Sequence, residues 1–85
     1  MIRVTCVGHI KTSIGAAEVE LDGDDMEPSE IVEKLRAMVV TGTAGFDKFN
    51  TLAMIEDGEA FVPASSKRKV KDGERIVLIP FSHGG

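Results

Sequence analysis

Apolar and polar positions alternate from the start of the chain. Ile2, Val4 and Cys6 fall on one side of an extended backbone, and Arg3, Thr5 and Val7 fall on the other. That pattern predicts a first strand over residues 2–8 with Cys6 on its apolar face. Residues 9–13 are short and polar, as a turn requires. Ala17, Val19 and Leu21 then alternate with Glu18 and Glu20, predicting a second, half-solvated strand paired to the first as an antiparallel hairpin. Beyond the Asp22-Gly23-Asp24-Asp25 loop the period changes. Pro28 suits the first helical position, and Glu27, Ser29 and Glu30 suit the positive end of a helix. Ile31, Val32, Leu35, Met38 and Val39 line one face, with Glu33, Lys34 and Arg36 opposite, so the helix is expected to run to a C-cap near Gly42.

From 41 to 50 the periodicity lapses, apart from Phe46 and Phe49. Leu52 and Met54 open a third strand, and Asp57-Gly58 signals a tight turn before Ala60-Phe61-Val62. Pro63 cannot donate to a ladder and confines that fourth strand to a short edge. Residues 64–69 read as a linker, and Asp72-Gly73 turns the chain into the last strand, 75–81. The first and last strands are the most apolar, which predicts them at the centre of the sheet. One helix covers only one face of such a sheet. The expected class is therefore α+β, a β-grasp of four to five mixed strands on one main helix. A ferredoxin-like plan lacks its second helix, which residues 64–71 do not supply.

Alternation within the last strand sends Ile76, Leu78 and Pro80 to one face and Val77, Ile79 and Phe81 to the other. Either the second set is a partly open apolar patch for a partner, or it packs beneath Phe46, Phe49 and the linker. Val77, Ile79 and Phe81 are the partner-binding candidates because they lead directly into Ser82-His83-Gly84-Gly85. The domain reading is a folded unit over 1–81 and a pliable tail over 82–85. A diglycine carboxylate placed straight after a core strand suits a chain whose own terminus is a reagent, since two residues without Cβ pass through a narrow cleft. The plainer reading is a frayed end.

Composition narrows the functional classes. With 85 residues and 42% hydrophobic content, the chain forms one small domain with no room for a cleft between domains. That favours a carrier, modifier or binding module over an enzyme. A net charge of −4, no Trp or Tyr and four Phe disfavour direct nucleic-acid binding. No apolar run reaches membrane-spanning length and no leader opens the chain, so a cytoplasmic protein without membrane contact is expected. Charge is uneven: eight acids and no base lie between Glu18 and Glu33, whereas Lys67, Arg68, Lys69 and Lys71 cluster later. This asymmetry either steers a charged partner or is simply a solvated flank. Cys6 is the sole cysteine and reads as a buried, inert thiol. His9 is expected in the hairpin turn. His83 either polarises the terminal carboxylate or is solvated, and two isolated histidines do not make a metal site.

Taken together, Asp57-Gly58, Val70-Lys71-Asp72-Gly73-Glu74-Arg75-Ile76, Pro80 and Gly84-Gly85 resemble the MoaD/ThiS family of ubiquitin-like sulfur carriers. The layout is similar over the whole chain, and the specific motifs lie in its last quarter. The ending His83-Gly84-Gly85 is also similar to that of the ubiquitin-related modifier. The resemblance implies that an activating enzyme, using ATP, adenylates the Gly85 carboxylate. A persulfide enzyme then converts it to a thiocarboxylate, which donates sulfur to a synthase subunit (molybdopterin or thiamine) or to a tRNA-thiolating enzyme. Ser82, His83 and Gly84 would enter the partner's tunnel. The chain itself would bind no cofactor and would be a cosubstrate, at most the non-catalytic subunit of a synthase. Phe81 and His83 depart from the paired prolines and small residue common in the molybdopterin branch. A modifier joined through Gly85 to lysines, or a docking module with an incidental diglycine, are the alternatives.

Overall fold

The computed structural model describes residues 1–39, 51–57, 60–63 and 68–80, with the backbone alone at 57 and 60–63. Five strands, β1 (Ile2–Cys6), β2 (Glu18–Leu21), β3 (Thr51–Asp57), β4 (Ala60–Pro63) and β5 (Arg75–Pro80), form one sheet in the order β2-β1-β5-β3-β4. β1 pairs antiparallel with β2 and parallel with β5, and β3 pairs antiparallel with both β5 and β4. The most apolar strands thus occupy the interior, and β4, which contains Pro63, lies at an edge, where a missing N–H does least harm. A hairpin, a helical crossing and a closing parallel pair of first and last strands make this a β-grasp, an α+β fold.

The core follows the alternation. Ile2, Val4 and Cys6 of β1, Ile76 and Leu78 of β5, and Ile55 of β3 are buried together with Ile31, Val32 and Leu35 of the main helix α2 (Pro28–Arg36). Pro28 takes the first helical position, and the Glu27 N–H donates to the Glu30 carboxylate at 3.2 Å. Burial pushes the Cys6 thiol up from its ordinary pKa, so it stays a neutral apolar group.

The structure departs from the sequence pattern in three places. The β1–β2 link is a short helix, α1 (His9–Ile14), where a turn is expected, and His9 is its exposed first residue. Ile10 and Ile14 stand one helical turn apart; Ile10 is fully buried and Ile14 packs on the core cluster. A helix this short does not hold by itself; burying Ile10, worth about 1.5–3 kcal/mol, anchors it. Second, α2 stops at Arg36. The Met38 and Val39 N–H groups bond to the Leu35 and Arg36 carbonyls, three residues back. That tighter winding turns successive residues through a larger angle, so Met38 swings off the stripe and is 40% exposed. The expected cap at Gly42 lies outside the described residues. Third, Met26 and Val70 form a two-way backbone bridge (2.9 and 2.7 Å), and both side chains join the core. The chain is therefore tied to the core immediately after the expected linker, at a residue that the local pattern does not single out.

Candidate functional site

β5 is the element on which the candidate site depends. Ile76 and Leu78 face the helices and are fully buried, while Val77 and Ile79 on the other face are half-buried. Register assembles their neighbours. Val77 stands beside Thr5 of β1 and Met54 of β3, and Ile79 stands opposite Leu52. Leu52 is 43% exposed and Val7, just past β1, is 42% exposed. An apolar patch of Val77, Ile79, Leu52, Met54 and Val7 therefore lies on the face that no helix of the described residues covers. Val7 joins it because its N–H donates to the Leu78 carbonyl at 3.2 Å, which extends the β1–β5 pairing one residue further.

Of the sequence-derived candidates, Val77 and Ile79 come together on this face. Phe81, Ser82, His83, Gly84 and Gly85 lie outside the described residues, as do Phe46 and Phe49. Leu52, Met54 and Val7 are the residues that the sequence reading missed. Alternation places Leu52 and Met54 on one side of β3, but only the register with β5 shows that this is the side of Val77 and Ile79.

The opposite end of the same face is charged. Arg75, at the start of β5, lies 3.7 Å from Glu18 of β2 and 3.7 Å from Glu56 of β3, and Arg3 is its neighbour on β1. These pairs are long and partly solvated, worth little in stability. They give the face a polar end away from Pro80 and an apolar end beside it.

The uneven charge along the sequence does not survive folding as two separate poles. The Met26–Val70 bridge brings the basic segment against the acidic loop, with Lys69 3.9 Å from Asp25 and the Asp72 N–H bonded to Asp24 at 2.8 Å. Arg68 pairs with Glu74 at 2.9 Å, and the N-terminal ammonium of Met1 pairs with Asp72. Among the described residues no group of three or more His, Cys, Asp and Glu side chains is placed to hold a metal ion. No helix among them is long and apolar enough to cross a membrane.

Solved structures share this architecture. The chain is similar to the crystal structure of SAMP1 from Haloferax volcanii, with a TM-score of 0.69 and 16% identity over 99% of this chain and 98% of that one. It is also similar to a chain of the Amycolatopsis orientalis BexX/CysO complex, with a TM-score of 0.59 and 18% identity over the full length of both. At such identities the likeness establishes the fold. No family model matches the chain, and no curated protein matches it in sequence.

Proposed function

We propose that the protein is a sulfur carrier whose Gly85 carboxylate is the reacting group. The observation that carries this reading is the course of β5. A strand fixed at the sheet centre runs along an apolar face that no helix among the described residues covers, and the sequence continues from it into Phe81-Ser82-His83-Gly84-Gly85. The face offers an adenylating enzyme a docking area, with Val77, Ile79 and Leu52 as contacts and Phe81, next in sequence, as a further candidate contact. Ser82, His83 and Gly84 then reach into the enzyme's tunnel. The whole-length likeness to SAMP1 and to a chain of the BexX/CysO complex supports the reading, the latter because a chain of this fold there meets a protein partner.

The chemistry follows from the group. A carboxylate is a poor electrophile until one oxygen belongs to a good leaving group. The Gly85 carboxylate attacks the α-phosphorus of ATP and expels pyrophosphate. A persulfide sulfur from a donor enzyme then attacks the acyl carbon and AMP departs. A thiol reduces the resulting acyl disulfide, leaving a thiocarboxylate. That sulfur passes to an acceptor in cofactor synthesis (molybdopterin or thiamine) or in tRNA thiolation, within the cytoplasm. Orienting these steps falls to the partner's tunnel, which makes the chain a cosubstrate and the partner the catalyst.

Intact-mass analysis of the protein purified from its own host tests this. One terminal oxygen replaced by sulfur supports the carrier. Gly85 remnants on lysines of host proteins, with no sulfur form, would make it a modifier instead. An unmodified Gly85 carboxylate under every growth condition overturns both. Deleting Gly85 should abolish AMP transfer and leave the thermal midpoint unchanged, because no described core residue lies beyond Leu78.

A further inference from the structure

Pro80, the last residue of β5, is held from two sides. On one side its backbone stands in register with Thr51 of β3. On the other, the Val7 N–H closes the ladder on the Leu78 carbonyl, and the chain then turns through Gly8 at φ +63° into α1. A Cβ placed on Gly8 would stand 3.0 Å from Pro80 Cγ and 3.6 Å from Cδ. The proline ring therefore sits against a backbone stripped of any side chain. Two demands meet at Gly8, a left-handed backbone and the space for the ring.

We propose that Gly8 is a positioning residue for the chemistry at Gly85. By letting the Pro80 ring seat against the β1–α1 turn, it fixes the direction in which the chain passes from the sheet into residue 81. This rests on the carrier reading and adds a residue that reading does not use. The ring already locks φ of Pro80 near −65°. With the ring seated, little freedom remains at the base of the segment that follows. Drawn out straight in the partner's tunnel, five residues would span up to about 17 Å, so a turn of about 10° at their base would displace the end by about 3 Å. In a preorganised site even about 1 Å of misplacement costs on the order of 10²-fold in rate.

Gly15 is a control for positive φ alone. It also has positive φ, +86°, at the other end of α1, but a Cβ there meets nothing within 4 Å. Alanine at either position strains the backbone, and only at Gly8 does it also meet Pro80. The test is steady-state AMP transfer by the host's adenylating enzyme with ATP, varying the carrier concentration, for wild type, Gly8→Ala, Gly15→Ala and Pro80→Ala. Gly8→Ala and Pro80→Ala should each lower kcat about tenfold or more with KM for the carrier within about twofold, because the docking face is intact. Gly15→Ala should keep kcat within about twofold, with a smaller loss of thermal midpoint because its Cβ meets nothing. If Gly8→Ala does not fold, Pro80→Ala decides, since it removes the ring without asking alanine for positive φ. Wild-type kcat in a folded Gly8→Ala, or in Pro80→Ala, overturns the proposal, as does an effect confined to KM. A wild-type chain that accepts no AMP overturns the carrier reading and this inference with it. Activation of wild type with indifference at Gly8 and Pro80 overturns the inference alone.

Discussion

Glu74 shows how one side chain fastens the turn that launches β5. Its carboxylate accepts the Lys71 N–H at 2.7 Å and pairs with Arg68 at 2.9 Å. Partial burial alone would push the carboxyl up, but the hydrogen bonds from Lys71 and Arg68 outweigh it and hold Glu74 below the usual carboxylate range. A carboxyl whose pKa is lower in the folded chain stabilises the fold above its unfolded value and loses that contribution as pH falls through the folded one. Glu74→Gln should therefore cost about 1 kcal/mol at pH 7, as the loss of charge-assisted hydrogen bonds at a partly solvated site predicts. The gap between the two proteins should narrow as pH falls below 4.5, the ordinary value for the group. Urea unfolding at a series of pH values measures it. A gap that stays constant into strong acid would assign the cost to shape and not to charge.

At the scale of elements, α1 is the informative case. Ile10→Ala should cost about 2–5 kcal/mol, as expected for a fully buried isoleucine, and Ile10→Val about 0.5–1.5 kcal/mol, by chemical denaturation. A loop residue in the predicted turn would cost almost nothing, so a loss below 0.5 kcal/mol in Ile10→Ala would return the segment to a turn. The strands were legible because a period of two is written into every few residues and Asp22, Asp57-Gly58, Pro63 and Asp72-Gly73 mark several of their ends. α1 was not, because six residues offer one i, i+4 pair, Ile10 and Ile14, inside a polar run. The Met26–Val70 bridge was not legible either, since nothing local links two residues so far apart in sequence. For the site, alternation exposed Val77 and Ile79, but the partners Leu52, Met54 and Val7 depend on register. The same limit explains the charge pattern, which looked polarised along the chain and is interleaved once Asp25 meets Lys69.

For the molecule as a whole, the carrier reading assigns folding to one face of β5 and docking to the other. Leu78→Ala removes a fully buried side chain and should lower stability by about 2–5 kcal/mol, whereas Leu52→Ser acts on a side chain already 43% exposed and should change it by about 0.5 kcal/mol or less. In AMP transfer the ranking should reverse for the fraction of each variant that is folded, with Leu52→Ser raising KM for the carrier and Leu78→Ala leaving it near wild type. An equal KM for both would mean that the open face is not where the enzyme docks. The topology adds a further expectation. β1 and β5 come from opposite ends of the chain, with Arg3 beside Arg75, so their pairing closes nearly the whole sequence into one loop. That closure is entropically costly and has no local shortcut. Once closed, β1 and β5 have no free edge, while β2 and β4 each have one. The hydrogen-bonded amides of Arg3–Cys6 and Arg75–Leu78 should then exchange only with global unfolding, and those of β2 and β4 sooner. Native-state hydrogen exchange measures both sets. Protection of β5 at the global value means that drawing the tail into a partner's cleft pulls on the firmest part of the fold. Earlier exchange of β5 would mean that the fold loosens at the base of the tail that the carrier reading makes the reagent.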